Sequence, residues 1–261
     1  MSEAALNIAI EAARKAGDII HRYLPKMGRI AVSKKTRNDY VTEVDRACEY
    51  AIVSHIRKLH PDHAILAEEG GADGESDELW IIDPLDGTSN FLHGIPHYAI
   101  SIAHQVKGRL VAGVIYDPIK EELFTAARGR GAYLNDQRMR VTPRPGLEGA
   151  IMATALPFRK RRHLQQSLDT LAAVFTEVED IRRAGSAALD LAYVAAGRLD
   201  GYWEMGLDRW DIAAGILLVR EAGGVVTDFS GNDSLERGGN IIAAPYKVMA
   251  ALQPIIAKHI P

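Results

Sequence analysis

WIIDPLDGTSN, residues 80–90, passes from an apolar run into dense polar chemistry within a few positions. Trp80-Ile81-Ile82 reads as a buried strand. It ends in Asp83 and Asp86, set around Pro84, and then come Gly87, Thr88, Ser89 and Asn90. Strand ends carry side chains beyond the sheet, where layered α/β proteins build their sites. Two carboxylates this close repel each other unless a proton or a cation lies between them. A donor set of oxygens, without cysteine or histidine, favours a hard cation such as Mg²⁺ or Mn²⁺ over zinc. Gly87 lets the backbone turn toward a ligand. Thr88-Ser89 can open a short helix, whose first N–H groups suit a phosphate. One aspartate in a turn would be an ordinary solvated Asx-turn; this combination behind a strand points to metal-assisted phosphoryl transfer.

Working outward, residues 2–24 carry a helical stripe of Leu6, Ile8, Ala9, Ala12, Ala13, Ala16, Ile19 and Ile20, stopped by Pro25 and Gly28. Residues 29–41 read as a polar hairpin or loop, with Lys34, Lys35 and Arg37 near its tip. A helix over 42–60, with Thr42 placed to cap it, ends at His60-Pro61. Ala64-Ile65-Leu66 is a short strand leading to Glu68. Residues 70–78 are a glycine- and acid-rich loop before a strand over 79–82. AISIAHQV, RLVAGVIY and ELFTA, between Tyr98 and Ala127, are strands turned by Lys107-Gly108 and Asp117-Pro118.

The second half alternates. Strands fall near 149–153, 178–182, 200–204, 225–228 and 240–243, and helices near 162–175, 186–197, 210–222 and 246–258, an α/β layered pattern. RPGLEG, in the Pro143–Gly149 region, marks a weak boundary without a flexible linker. The expectation is one domain over 1–261, with a helix and antiparallel-sheet half over 1–145 and an α/β half over 146–261.

Composition narrows the function classes. A chain of 261 residues, 47% hydrophobic and 25% charged, can bury a large core. A net charge of −3 offers no global attraction to nucleic acid or an anionic membrane. The single cysteine excludes an internal disulfide framework and suits a reducing compartment. The first residues carry Glu3 and Glu11, unlike a signal peptide, and no window nears the ~18 apolar residues of a membrane span. A cytoplasmic location is expected.

Two more acidic segments accompany the central one. Glu68 stands in LAEEG (66–70), and Asp211 stands in RWDIAAGILLVREAGG (209–224), in the first turn of an apolar helix where the dipole favours negative charge. WIIDPLDGTSN and RWDIAAGILLVREAGG resemble the two signatures of the inositol monophosphatase family. The likeness continues through DYVTEVD (39–45), LAEEG, RAGSAALDLAYVAAGRLDGYWEMG (183–206) and GGNIIAA (238–244), covers essentially the whole chain, and is closest to the bacterial SuhB-type branch.

The resemblance implies a layered αβαβα sandwich and a Mg²⁺-dependent phosphatase of inositol monophosphate, with two or three ions and Mn²⁺ able to substitute. Glu68, Asp83 and the Leu85 carbonyl match the ligands of one ion; Asp83, Asp86 and Asp211 match those of a second. Gly87, Thr88 and Ser89 match the phosphate cradle, and Ser89 replaces the threonine of many relatives. Asp45, which alone would read as a surface charge on a polar helix face, matches an acid orienting the Thr88 hydroxyl. Glu68, Thr88 and Asp45 are thus the implied catalytic group, for direct attack of a metal-activated water without a phosphoenzyme. Gly185, Ser186, Ala187 and Glu204, with Asp86 and Asp211, match the substrate pocket. Lys34 matches a lysine on a mobile loop. ATALPF (153–158) replaces a region where animal members present a substrate-contacting serine, so that contact does not transfer. Inhibition by Li⁺ and a homodimer are further implications.

The motifs also admit other readings. Haloacid-dehalogenase-type phosphatases carry Asp-x-Asp-Gly-Thr, but here Pro84 and Leu85 separate the acids and the rest of the chain does not match. Relatives within the superfamily hydrolyse fructose 1,6-bisphosphate, phosphoadenosine phosphate, histidinol phosphate or NADP. The SuhB-type branch includes partners of Nus factors and RNA polymerase in antitermination. RKRRH (159–163), at the expected start of a helix where its charge opposes the dipole, is the segment that could carry such contact. No aromatic residues interleave it, so direct nucleic-acid binding is not expected.

Overall fold

In the computed structural model, residues 2–25, 32–36, 39–157, 161–233 and 238–259 are described. Helices and sheets alternate in five layers. Helices α1 (Ser2–Tyr23) and α2 (Glu43–Leu59) cover one face of an eight-stranded sheet. Helices α5 (Ala187–Ala195) and α6 (Arg209–Glu221) fill the space between it and a five-stranded sheet. Helices α4 (Leu164–Phe175) and α7 (Tyr246–Ala257) pack together on the far side. The αβαβα sandwich implied by the family resemblance is therefore present.

The eight-stranded sheet contains β3 (Ala64–Ala67), β4 (Gly71–Asp73), β5 (Glu78–Asp86), β6 (Ala99–Val106), β7 (Arg109–Asp117), β8 (Glu122–Ala127), β9 (Gly131–Leu134) and β10 (Gln137–Arg138). Its order is β10-β9-β8-β7-β6-β5-β3-β4, and its pairs are antiparallel except β3 with β5. The second sheet has the order β12-β11-β13-β15-β14, made of β11 (Ile151–Thr154), β12 (Asp180–Arg182), β13 (Gly201–Leu207), β14 (Val225–Thr227) and β15 (Gly239–Ala244). A ribbon of β1 (Val32–Thr36) and β2 (Asp39–Thr42) stands apart from both.

Side-chain alternation sorts the strands between layers. Trp80 and Ile82 face α1 and α2, whereas Ile81 joins the cluster around α5 and α6. On β13, Tyr202 faces that same central layer, while Trp203 and Met205 turn to the side of α4 and α7. Glycine sets two of the closest contacts. A Cβ at Gly113 of β7 would stand 3.1 Å from the Ala214 carbonyl oxygen of α6, and one at Gly215 would stand 2.5 Å from Leu191 of α5. Larger residues there would push the central helices off the sheet.

Two expectations need correction, and one hairpin was not expected. The strand read as 79–82 continues to Asp86: pairing with β6 resumes at Asp86–Ala99 after a register shift beyond Asp83–Ser101, a bulge at Pro84, which has no N–H to give the ladder. Residues 70–78 are not wholly loop, because Gly71–Asp73 folds back on β3 as an edge strand despite weak β-propensity. The hairpin of β9 and β10 was missed; Asn135 and Asp136, at φ 44° and 66°, make its two-residue turn. Among the described residues, no helix is long and apolar enough to cross a membrane.

Candidate active site

The parallel pairing of β3 and β5 begins the site. Ala67 sits opposite Ile82, and the Glu68 N–H donates to the Ile82 carbonyl at 3.1 Å, so Glu68 leaves its strand beside the point where Asp83 leaves the regular ladder. The bulge frees the Leu85 N–H, which the Asp83 carboxylate accepts at 3.0 Å. Gly87, at φ 97°, then turns the chain into α3 (Thr88–Leu92); a Cβ there would meet the His97 carbonyl oxygen at 3.0 Å. The first-turn N–H groups of α3 have no intrahelical acceptors.

Asp45 lies behind this turn. Thr42 caps α2, its hydroxyl accepting from Val44 and Asp45 N–H groups, while Asp45 accepts from the Thr42 N–H at 2.8 Å in a capping box. The other Asp45 oxygen is 2.9 Å from the Thr88 hydroxyl, which is also 3.0 Å from the Leu85 carbonyl. A hydroxyl has one proton, so Thr88 donates to one of these two acceptors at a time. Burial raises Asp45 above the usual carboxylate range, opposed by these hydrogen bonds from Thr42 and Thr88.

Residues from the second half close the pocket. Ser186 caps α5 and also donates to Asp86 at 2.6 Å, and the Ala188 N–H donates to the same oxygen at 2.7 Å. Asp211, the third residue of α6, accepts from the Asp208 N–H at 2.7 Å. Asn90 ties the two walls, donating to the carbonyls of His97 and Ala184. Gly185 must lack a side chain, because its φ is 93° and a Cβ would press on Asn90.

The resulting pocket of about 350 Å³ is lined by Glu68, Asp83, Leu85, Asp86, Gly87, Thr88, Ser89, Gly185, Ser186, Ala187, Glu204 and Asp211. Asp45 stands behind Thr88. Lys34 lies on β1 opposite Tyr40, with its side chain outside the described residues. The pocket also takes in Asn90, His93, Ala155, Leu156, Pro157 and Arg183, given no role in the sequence. Asn90 had the clearest signal, as the amide inside the central motif; Arg183 opened the matching segment 183–206 without a role, and His93 had no signal.

Asp83 is 1% exposed, and burial first, then the charges of Glu68, Asp86 and Asp211, hold it well above the ordinary carboxylate range. Such a group must take up a proton or meet a cation. Four carboxylates with a backbone carbonyl, all oxygen, form a donor set fitting a hard divalent ion. On the wall of the pocket formed by β13, Glu204 is 8% exposed and accepts from the Tyr202 hydroxyl at 2.5 Å. Nearby, Asp190 of α5 is 2% exposed, one of its oxygens has no hydrogen-bond partner among the described residues, and burial with the charges of Glu204 and Asp86 raises it well above its usual range.

The model of the Inositol monophosphatase family matches residues 1–260. The chain belongs to the inositol monophosphatase family. Nus factor SuhB of Pseudomonas aeruginosa is 52% identical, over 98% of this chain and 97% of that protein. Among solved structures, the extragenic suppressor protein suhB of Bartonella henselae superposes with a TM-score of 0.95 at 47% identity, covering 98% of this chain and all of that one. An inositol monophosphatase from Anabaena superposes at 0.89 with 37% identity, over 99% of this chain and 97% of that one.

Proposed function

We propose that the protein is a Mg²⁺-dependent phosphatase that hydrolyses inositol monophosphate, or a polyol monophosphate of the same kind, to the alcohol and inorganic phosphate. The observation that carries this reading is the meeting of Glu68 after β3, Asp83 and Asp86 of β5, and Asp211 of α6 around one buried and electrostatically strained carboxylate, Asp83.

Glu68, Asp83 and the Leu85 carbonyl would hold one ion and Asp83, Asp86 and Asp211 a second. A third, and Mn²⁺ in place of Mg²⁺, fit the same donors. Bound there, the ions would supply positive charge that neutralises the ester and acidifies a water. The chain's own groups do the rest. First-turn N–H groups at Gly87, Thr88 and Ser89 receive the phosphate oxygens. The Thr88 hydroxyl, donating to Asp45, turns a lone pair toward the attacking water, and Glu68 flanks it as proton acceptor. Water forms the new bond to phosphorus as its proton passes to Glu68, the ester bond breaks, and the leaving alcohol oxygen takes a proton from solvent water, Glu68 returning its own to solvent afterwards. Glu204 accepts hydrogen bonds from the polyol hydroxyls, backed by Gly185, Ser186 and Ala187.

Phosphate release from inositol 1-phosphate, fructose 1,6-bisphosphate, phosphoadenosine phosphate and histidinol phosphate, with and without chelator, tests the reading. Chelator-sensitive turnover fastest on inositol 1-phosphate is expected. Preference for another substrate would replace the polyol assignment, and metal-independent turnover would remove the mechanism. Li⁺ inhibition and a homodimer belong to the same reading, checked by inhibition kinetics and light scattering.

The relatives named Nus factor SuhB favour a second reading, a partner of Nus factors and RNA polymerase in antitermination. In RKRRH, Arg161–His163 form a 3-10 turn before α4, and Arg159 and Lys160 lie outside the described residues. Neutralising Arg159, Lys160, Arg161 and Arg162 should weaken capture of RNA polymerase and leave phosphatase turnover intact; undiminished capture would discard this segment as the contact.

A further inference from the structure

The tightest grouping of metal-ligating side chains among the described residues lies away from the pocket just described. His63, Glu78 and His104 each place one donor atom within 4.8 Å of the others. They stand at the end of three neighbouring strands remote from the carboxylate pocket. His63 precedes β3, Glu78 opens β5, and His104 sits on β6 directly opposite Trp80. Asp83 lies five positions along β5 from Glu78, ~17 Å at the rise of an extended strand.

His104 is 4% exposed, and neither ring nitrogen makes a hydrogen bond among the described residues. Its Nε2 is 2.9 Å from a Glu78 carboxylate oxygen but outside hydrogen-bonding geometry. A buried imidazole left this way costs free energy that a shared cation would return. Burial first, then His63 and His60, push His104 down to about 4, so the ring is neutral at physiological pH, as a ligand must be. The ring is held in place by stacking on Trp80, centroids 4.3 Å apart. His63 is held too: Arg57 donates to its carbonyl at 2.6 Å, and the Trp80 indole N–H donates to its Nδ1 at 3.1 Å.

We propose that His63, Glu78 and His104 form a second metal site, for a divalent transition metal of the Zn²⁺ class, separate from the hard-cation pocket and joining β3, β5 and β6 at their outer end. Two imidazoles and one carboxylate are the donors zinc takes, with a position left for solvent, whereas Mg²⁺ avoids such a set. Uptake also touches Trp80. Ligation through His63 Nδ1 replaces the indole N–H, and ligation through Nε2 requires the proton which that bond places on Nε2 to leave. Either route alters the indole's environment.

The test uses chelator-stripped full-length protein with excess Mg²⁺ occupying the carboxylate pocket. Zn²⁺ is titrated by calorimetry while tryptophan emission and the melting midpoint are followed. One equivalent of Zn²⁺ bound, a change in emission that Trp80→Phe abolishes, and a rise in midpoint of several degrees are expected. His63→Gln, at a half-exposed position, and His104→Gln should each weaken uptake by more than about tenfold, given that even outer-shell partners reach that figure. Asp83→Asn should retain it. Melting in chelator shows whether either histidine variant is misfolded, and His63→Gln carries the test if His104→Gln is. Absent uptake, or uptake unchanged in His63→Gln and lost in Asp83→Asn, would overturn the proposal.

Discussion

Asp86 and Ser186 meet at 2.6 Å across a hundred positions of sequence, and the same Ser186 hydroxyl accepts from the Leu189 N–H at the start of α5. One hydroxyl thus caps a helix and steers a carboxylate. Ser186→Ala should lower stability by about 1 kcal/mol, the usual cost of a lost cap. It should also raise the Mg²⁺ concentration needed for half-maximal turnover. Thermal melts and metal titration of phosphate release check both; an unchanged metal requirement would show that Ser186 acts on the helix alone.

Asp83→Asn should reduce turnover by on the order of 100-fold or more, above the range for outer-shell partners of a metal. The metal-free variant should nonetheless melt higher than the parent at neutral pH. The sign follows from the raised native pKa of Asp83. Its stabilising share is complete below the unfolded value near 4 and is lost as pH rises through the native value. Saturating Mg²⁺ should flatten this slope in the parent. Melting midpoints from pH 4 to 8, with and without Mg²⁺, decide the matter.

Asp190 supplies a contrast, being buried and raised well above its usual range without matching any metal ligand. Asp190→Asn should gain stability relative to the parent as pH rises above the unfolded carboxylate value, with or without Mg²⁺. A gain that disappeared on adding Mg²⁺ would mean that Asp190 belongs to the cation's surroundings.

Thr88→Val keeps the volume and removes the hydroxyl that faces Asp45 at 2.9 Å. We expect kcat to fall by about 10²-fold or more, the range for positioned proton transfer, with a smaller change in KM. Thr88→Ser should retain most activity. Equal losses in the two variants would argue for a packing role.

Glu204→Gln tests the polyol contact. KM for inositol 1-phosphate should rise by about tenfold, equivalent to ~1.4 kcal/mol and within the range of a hydrogen bond to a charged group. Turnover of an aryl phosphate without ring hydroxyls should barely change. Parallel effects on both substrates would place Glu204 in the support of the pocket.

Much of this architecture was legible because period and punctuation agree. AISIAHQV is β6 from its first residue to its last, and Lys107-Gly108, both at positive φ, make the turn expected of them. Thr42 announced α2 by capping chemistry alone. Asp45 was not legible in this way: a charged residue near a helix start reads as solvated, yet it is 0% exposed, because α3 packs Thr88 over it. The length of β5 was hidden by Pro84, which ends most strands and here marks a bulge. His104 read as part of an apolar strand, since only the register with β5 sets it against Trp80 and near Glu78.

The parallel pair β3 and β5 is the exception in a sheet that is otherwise antiparallel, and its alignment sets the separation of Glu68 from Asp83. Slippage by one position would rotate every side chain of β3 to the opposite surface and send Glu68 away from its companions. Catalysis therefore acts as a ruler laid across two strands. Any variant that still turns over substrate has, by that fact, kept those strands aligned to within a single residue.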